Sequence, residues 1–286
     1  MKLFVQFHIE FQEYLLNKYK EKELNKLGND NIIIKQNNGI EYIQFKRLLN
    51  HGIKHAYTLK SEGLNFRSDS KEEKESYKKI FECLGLDIKT FTKPQQRHTN
   101  TVTCIEKIMK TEDLLETDGL ITNKENITLV TTNADCILFL FYDPIRRVIA
   151  NVHSGWRGTF KKIGEVAVKK MKEEYGCNAE DIEVYICPSI RKCHFEVDED
   201  VKEECEEIFG FTNRINDIIE KGEMKDEKQK YFIDTILINK LLFLAQGIKE
   251  TNIYDCDICS VCNSDKIRSY RAEGKDFKLA TSIISM

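Results

Sequence analysis

The sequence is poor in proline, tryptophan and histidine, and it has no long apolar run. Its 286 residues include 3 Pro, 1 Trp and 6 His. No apolar run approaches the ~20 residues of a membrane span. Scarce proline and the lack of linker-like sequence favour one globular unit. The net charge of −3, from 44 basic and 47 acidic residues, argues against general binding to nucleic acid or to anionic membranes.

The amino-terminal sequence MKLFVQFHIEFQEYLL makes a poor secretion signal. His8, Glu10 and Glu13 interrupt its apolar residues, and no small-residue cleavage site follows. The ten cysteines are therefore expected to be reduced thiols and not a disulfide framework. The sequence predicts a cytoplasmic location.

The centre of the chain is predicted to form a hairpin that brings a cysteine next to a histidine. Residues 137–142 and 147–152 are apolar, strand-like runs, and residues 143–146 form a turn with proline at its second position. Antiparallel pairing about that turn puts Cys136 directly across from His153, with Cβ atoms about 5 Å apart. A slip of one residue would separate them. A thiol and an imidazole this close can share a metal or act as nucleophile and base.

A glycine-rich segment follows this histidine. Gly155 and Gly158 flank Trp156 and Arg157, and a helical pattern then extends to residue 175. Glycines before a helix let backbone N–H groups approach an anion, and an arginine offers paired donors to phosphate or carboxylate. The alternative is that the glycines only form a tight turn and that the tryptophan anchors the core. The composition is compatible with either role.

Periodicity and capping residues predict the other elements. Short strands and hairpins are expected over residues 1–60, with one possible charged helix over 13–27. Further helices are expected, with the charged stretch 211–230 as a loop. These helices are predicted over residues 71–84, over 198–209 with Asp198 itself as the cap residue, and over 235–245 with Asp234 as the preceding cap residue.

Other residues of metal-binding type give weaker signals. His98, where a loop meets a strand, is by itself an ordinary loop residue. Cys193 and His194 have no evident partner at metal-ligand spacing. A C-x-x-C-x-x-C motif is formed by Cys256, Cys259 and Cys262. Its spacing is typical of iron–sulfur or zinc sites, but no second cysteine cluster completes it, so no metal is expected there.

Three motifs, QRHTNTV, NADC and NVHSGWRGT, occur in this order. They resemble the signature motifs of the multicopper polyphenol oxidase (laccase-like) family. It is also called the purine nucleoside phosphorylase or peptidoglycan editing factor family. Residues 231–234 with Asn239, and 259–264 with 269–271, extend the resemblance over nearly the whole chain. The resemblance implies an α/β (α+β) fold: a layered sandwich of mixed β-sheets flanked by helices. A single domain over 1–286 is implied, with residues 1–60 as its β-rich part.

By the same resemblance, the metal ligands are His98, Cys136 and His153. Two imidazoles and one thiolate with an open fourth position are typical of catalytic zinc, with copper as the other possibility. The implied activities are phosphorolysis of adenosine, inosine and methylthioadenosine, and deamination of adenosine. The partners would be a purine nucleoside and phosphate, with no nucleic acid and no membrane, and the chain a monomer or homodimer. Cys136 and His153 would be catalytic.

Two more residues are given roles on this hypothesis. Asp135 would transfer protons or, equally, cap the turn before the strand. Arg157 would lie by the phosphate. The sequence departs from the family at Leu138, which replaces a proline, and at Ala272 and Phe277-Lys278, where arginines are lost. The losses could weaken binding of an anionic substrate or change its identity.

Three alternatives remain open. Without metal, the cysteine and histidine would form an amidohydrolase that acts on peptidoglycan precursors. A copper-dependent polyphenol oxidase (laccase) is the enzyme ranked last, because a multicopper relay needs more histidines than the 6 present. A binding module without catalysis is the third.

Overall fold

The computed structural model describes residues 27–286, in which the chain forms fifteen strands and eight α-helices. The strands, in chain order, are β1 Ile32–Asn37, β2 Ile40–Phe45, β3 Lys54–Thr58, β4 Phe91–Thr92, β5 Val102–Cys104, β6 Gly119–Thr122, β7 Thr128–Asn133, β8 Ile137–Asp143, β9 Val148–Ser154, β10 Glu183–Ile186, β11 Glu196–Val197, β12 Ile219–Lys225, β13 Lys228–Ile233, β14 Ile253–Asp255 and β15 Ala280–Ser285. The helices are α1 Lys46–Asn50, α2 Glu73–Leu84, α3 Trp156–Phe160, α4 Ile163–Tyr175, α5 Glu199–Phe209, α6 Ile215–Ile218, α7 Thr235–Ala245 and α8 Tyr270–Glu273.

The strands form two six-stranded sheets and one small sheet. The first sheet has the order β1-β2-β3-β15-β7-β4, the second β14-β10-β8-β9-β6-β5, and the small one β11-β13-β12. Both large sheets are mixed, since β4 is parallel to β7 while β5 and β14 are parallel to β6 and β10. Strands β1 to β3 share their sheet with the C-terminal β15, so residues 32–58 fold as part of the same unit.

The two large sheets pack face to face with helices on their outer faces. Leu138 and Leu140 of the second sheet share a buried cluster with Leu129 and Ile284 of the first. Helix α2 covers the outer face of the first sheet, and α4 and α7 cover that of the second. Strands β8 and β9 are buried throughout because both of their faces are covered. The predicted layered sandwich of mixed sheets flanked by helices is confirmed.

Several helix ends lie where the sequence predicts them. Helix α2 ends at Gly85 and α4 at Gly176, with positive φ values of 60° and 66° that favour glycine. At the start of α7, the Oδ1 atom of Asp234 accepts a hydrogen bond of 2.8 Å from the amide of Leu237. No helix within residues 27–286 is long and apolar enough to cross a membrane.

Other expectations need correction. Residues 211–230 are not a loop, since they contain α6, β12 and the first half of β13. Strand β12 is mostly exposed and charged, so it carries no alternating apolar pattern. Asp198 precedes α5 but caps nothing, because its carboxylate pairs with Lys230. Any of the predicted short strands before residue 27 lie outside the described residues, as does the helix over 13–27 except for its last residue.

A buried polar network joins the two large sheets. The side chain of Asn151 on β9 accepts hydrogen bonds from Thr131 on β7 (2.5 Å) and Ser282 on β15 (2.8 Å). Its amide group donates to the backbone oxygens of Leu129 (3.1 Å) and Ser282 (3.0 Å). Buried polar groups cost free energy unless they are paired, so this network favours one alignment of the sheets.

Candidate active site

The β8–β9 hairpin forms, but its predicted register is wrong by two residues. His153 lies opposite Leu138, not Cys136. The reason is the loop: Asp143 pairs with Val148, so four residues connect the strands where two were expected. The Asp143 carboxylate accepts hydrogen bonds from the amides of Ile145 (2.8 Å) and Arg146 (2.9 Å), which stabilises the longer turn.

The error does not separate the thiol from the imidazole. Side chains alternate along a strand with a period of two, so a shift of two residues returns them to the same face. Cys136 precedes β8, and its ligand atom lies within 4.8 Å of those of His153 and His98. The Cys136 Sγ to His98 Nε2 distance is 3.7 Å, and the two histidine rings meet edge to face with centroids 4.9 Å apart. The three predicted ligands are therefore together.

His98 sits on a loop that is fastened to both large sheets. Gln96 forms paired hydrogen bonds of 2.8 Å with the backbone N–H and C=O of Thr132 on β7. The amides of Arg97, His98 and Thr99 all donate to the carboxylate of Asp118, at 3.1, 3.0 and 2.8 Å. His98 has a positive φ of 59°, a conformation that non-glycine residues rarely adopt. The Asp118 hydrogen bonds hold it there.

Asp118 is the site residue that the sequence did not reveal. It is fully buried and accepts a 2.8 Å hydrogen bond from Nδ1 of His153, besides those from the His98 loop. It therefore holds the Nδ1 side of the His153 ring and leaves Nε2 for the thiol or a metal, as carboxylates do for metal-ligating histidines. The only signal was an aspartate in the turn Thr117-Asp118-Gly119, which is also an ordinary turn sequence.

Charge separation between Cys136 and His153 follows from these contacts. Burial alone would raise the pKa of the Cys136 thiol, but the charge and hydrogen bond of His153, helped by His98, lower it to about 6. Burial alone would lower the pKa of His153, but the Cys136 thiolate and the Asp118 carboxylate raise it to about 9. Burial would also raise the pKa of Asp118, yet the hydrogen bond from His153 brings it below its usual range. Without a metal, the pair is a thiolate and an imidazolium near neutral pH.

Gly155 allows the donors to come this close. A Cβ atom at this position would lie 2.5 Å from Cδ2 of His98 and 3.1 Å from Sγ of Cys136. Both distances are shorter than van der Waals contact. The first glycine of the predicted Gly-Trp-Arg-Gly segment is thus required by packing against the ligands.

The three donors face a cavity of about 720 Å³. This volume lies within the usual range for small-molecule sites. Aromatic rings on its wall are those of Trp156, Phe195, Tyr270 and Phe277. Tyr270 and Phe277 meet edge to face with centroids 5.1 Å apart, and they provide an apolar surface for a flat ring.

The cationic side chains around the cavity differ in how they are paired. Arg157 does not line it, because its guanidinium is exposed and stacks on Trp156 at 4.1 Å. Arg67 lines it but forms an ion pair with Asp69. Arg97 and Arg271 also line it, and within residues 27–286 neither forms an ion pair with a carboxylate. Of these arginines, they are the better placed to receive an anion.

Asp135 lines the cavity but is held on both sides. Its Oδ1 atom accepts from the hydroxyl of Ser260 (2.6 Å) and its Oδ2 from the amide of Arg271 (2.7 Å). Its positive φ of 92° marks a sharp bend just before Cys136. The carboxylate thus ties two loops to the backbone beside the thiol.

The donor set of His98, Cys136 and His153 (hereafter the triad) fits a transition metal. Two imidazole nitrogens and a thiol sulfur lie within 4.8 Å of one another. The triad would supply three protein ligands to a metal, and because it faces the cavity a further position would be left for water or substrate, as in catalytic zinc sites. The same donors also suit copper.

A second donor group contradicts one expectation. Cys193 and His194 do have partners, because the fold brings Cys259 and Cys262 to within 4.8 Å of them. Cys256, the first cysteine of the C-x-x-C-x-x-C motif, is not part of this group and is buried in the core.

Purine nucleoside phosphorylases and an adenosine deaminase are among the proteins that this chain resembles in sequence. Purine nucleoside phosphorylase LACC1 of Homo sapiens is 28% identical over 246 residues, which are 82% of this chain and 53% of the human protein. The chain thus spans about half the length of that relative. A purine nucleoside phosphorylase of Clostridium acetobutylicum is 30% identical over 214 residues, 74% of this chain and 83% of that protein. Adenosine deaminase RL5, from an unknown prokaryotic organism, is 28% identical over 198 residues, 67% of this chain and 73% of its own.

A solved structure shares the fold, and a family model shows the family. The crystal structure of the hypothetical protein YfiH of Bacillus licheniformis superposes with a TM-score of 0.79 at 21% identity, covering 88% of this chain and 98% of that one. This likeness shows a common fold. The family model described as multi-copper polyphenol oxidoreductase laccase matches residues 50–286, well over half of the sequence. The chain therefore belongs to the multi-copper polyphenol oxidoreductase laccase family.

Proposed function

We propose that this chain is a zinc-dependent purine nucleoside enzyme. Its reactions would be phosphorolysis of adenosine, inosine and methylthioadenosine, and deamination of adenosine. The observation that carries the proposal is the triad, with Asp118 behind His153, at the wall of a cavity of nucleoside size. Relatives named purine nucleoside phosphorylase and adenosine deaminase support the substrate class.

The triad would hold the metal through Nε2 of both histidines and the Cys136 thiolate. Bound there, zinc would supply Lewis-acid activation of an oxygen at neutral pH. The chain's own contribution is to keep His153 in one tautomer, whose Nδ1–H donates a hydrogen bond to the Asp118 carboxylate, and to keep the His98 ring in place through the Asp118-bound loop.

The remaining cavity residues would bind the two substrates. Tyr270 and Phe277 offer a stacking surface for the purine. Arg97 and Arg271, which form no ion pair with a described carboxylate, offer positive charge for phosphate. The same positive charge would stabilise negative charge that develops in the transition state. Arg157, the residue that the sequence assigns to phosphate, remains a candidate at the protein surface beside Trp156.

Asp135 has two possible roles on this proposal, proton transfer and positioning. Both of its carboxylate oxygens already accept protein hydrogen bonds. That favours a positioning role for Asp135, through the loops that carry Ser260 and Arg271.

The Cys136→Ala variant tests the proposal. We expect it to lose the zinc of the triad and to have no detectable phosphorolysis of inosine or deamination of adenosine. Metal analysis of purified protein and chromatographic assays with and without phosphate measure both. Cys104→Ala is the matched control, because that thiol lies on β5 away from the cavity-lining residues. Turnover retained by a folded Cys136→Ala protein would refute the assignment.

The charge-separated pair of Cys136 and His153 favours one alternative, a metal-free cysteine amidohydrolase that acts on peptidoglycan precursors. The two proposals predict opposite effects of chelation. If zinc is required, stripping the metal abolishes turnover and adding zinc back restores it. Full activity in excess chelator, lost after thiol alkylation, would favour the amidohydrolase.

A further inference from the structure

We propose a second metal site, a structural zinc site formed by Cys193, His194, Cys259 and Cys262. These four residues are called the Cys3His cluster below. It is separate from the triad and goes beyond the proposed function. All four donor atoms lie within 4.8 Å of one another. Three thiolates and one imidazole are a ligand set of structural zinc sites in proteins.

The donor spacing matches a tetrahedron around one zinc ion. With Zn–S bonds of about 2.3 Å and Zn–N bonds of about 2.0–2.1 Å, a tetrahedral site requires S–S distances of about 3.8 Å and S–N distances of about 3.6 Å. Sγ of Cys193 is 3.6 Å from that of Cys259 and 3.8 Å from that of Cys262. Nδ1 of His194 is 3.2, 3.7 and 3.4 Å from the sulfurs of Cys193, Cys259 and Cys262. At these distances Cys193 forms no disulfide with Cys259 or Cys262, because the S–S bond of a disulfide is about 2.0 Å long.

Two backbone segments bring these residues together. A parallel bridge joins Ser189 to Cys259, so Cys193 and Cys262 follow it by four and three residues on neighbouring segments. A turn in which the amides of His194 and Phe195 both donate to the oxygen of Arg191 presents the Cys193-His194 pair. The side chain of Arg191 forms paired hydrogen bonds with Asp255 and fastens this turn to β14.

The cluster is closed, which distinguishes it from a catalytic site. The protein supplies all four ligands, so no position is left for substrate. None of the four lines the cavity of the triad. A metal here would fix the two segments to each other, as structural zinc does in small domains.

Those segments form part of the wall of the candidate active site. Ser260, between two of the ligands, donates its hydroxyl to Asp135 at 2.6 Å. The backbone oxygen of His194 accepts a 2.9 Å hydrogen bond from the guanidinium of Arg271, which lines the cavity. We therefore expect the second zinc to support the position of Asp135 and Arg271 without contacting substrate.

Zinc content per chain tests the inference. Full-length protein is expressed with zinc and reductant and freed of loose metal by gel filtration with a mild chelator. The variants are Cys262→Ala, Cys136→Ala and the double variant. We expect two zinc ions in the wild type, one in each single variant and none in the double variant. Cys256→Ala is the matched control: it removes the motif's other thiol, which lies outside the cluster, and should keep two.

The design separates this inference from the proposed function. If the triad binds no zinc, the wild type holds one ion, which Cys136→Ala keeps and Cys262→Ala loses, and the Cys3His cluster stands alone. A zinc-free Cys136→Ala protein overturns the second site. Equal zinc in Cys262→Ala and wild type also overturns it.

If the Cys262→Ala protein fails to fold, a spectroscopic measurement on another variant still tests the site. Cobalt replaces zinc in the Cys136→Ala protein, where the Cys3His cluster is intact. We expect intense thiolate-to-cobalt absorption in the near ultraviolet and the visible bands of tetrahedral cobalt. Their absence, or a disulfide among the three cysteines in zinc-loaded protein, contradicts the site.

Discussion

The triad and the Cys3His cluster are built from the same residue types in different surroundings. The triad gathers its donors from three separate segments, faces a cavity, and has Asp118 behind His153. The Cys3His cluster takes one pair of donors from each of two neighbouring segments and lies outside that cavity. The comparison teaches that the number of donors, their access to a cavity and the carboxylate behind them distinguish a candidate catalytic metal from a structural one.

Removing the carboxylate should produce the largest difference between the two sites. In Asp118→Asn, we expect the affinity of the triad for zinc, and nucleoside turnover with it, to fall about 10–100-fold, because His153 and the His98 loop lose the charge that orients them. Competition with a chelator measures the affinity. The zinc of the Cys3His cluster should remain.

Asp69→Asn is the control for that experiment. Asp69 lines the same cavity and pairs with Arg67, but it is not one of the hydrogen-bond partners of the triad. Equal zinc affinity in Asp118→Asn and wild type would show that Asp118 does not support the metal ligands.

The next effect is expected in the turnover rate, from crowding the triad. In Gly155→Ala, the new Cβ would collide with His98 and Cys136, so the His98 ring must move. A displacement of about 1 Å at a reacting centre can cost roughly 100-fold in rate. We expect up to that loss in kcat, measured by steady-state kinetics, with zinc at the Cys3His cluster unchanged.

Gly158→Ala is the milder control, since its nearest neighbour would be the Thr99 oxygen at 3.3 Å. Comparable losses in both variants would mean that the glycine segment is sensitive as a whole and not through its contact with the ligands.

The smallest expected effect is a difference between Cys136 and Cys262 in how their alkylation rates depend on pH, measured in metal-free protein. Below a pKa of about 6, the Cys136 thiol gains its proton. Its alkylation rate should therefore fall about tenfold per pH unit below pH 6 and level off above it. Burial raises the pKa of Cys262, so its alkylation should still increase with pH above neutrality. Peptide mass spectrometry after timed labelling measures each rate. Half-maximal labelling of Cys136 near pH 9 would contradict the ion pair with His153.

The sequence predicts the triad better than it predicts how the triad is assembled. The hairpin pattern placed Cys136 and His153 on one face, and that part holds because a two-residue error preserves the face. The register depends on the loop, where the Asp143 side chain favours four residues, and strand periodicity does not report loop length. The family resemblance supplied His98, which is 38 residues from Cys136.

Asp118 and the Cys3His cluster depend on tertiary contacts that no local pattern encodes. Asp118 meets His153 across 35 residues. Cys193 meets Cys259 across 66, through the bridge of Ser189. The sequence predicted no metal at the motif of three cysteines because it showed no further ligands, whereas the fold buries Cys256 in the core and brings the Cys193-His194 pair to the other two cysteines.

The polar network of Asn151 has a consequence for how the protein unfolds. His98 is attached to the first sheet through Gln96, while His153 belongs to the second. A slide of one sheet by one residue, about 3.3 Å, would unpair Asn151 and also pull the ligands apart. Metal bound by the triad would therefore clamp the two layers, and by mass action it would raise the temperature at which both melt. The sheets should then lose their structure in one cooperative transition.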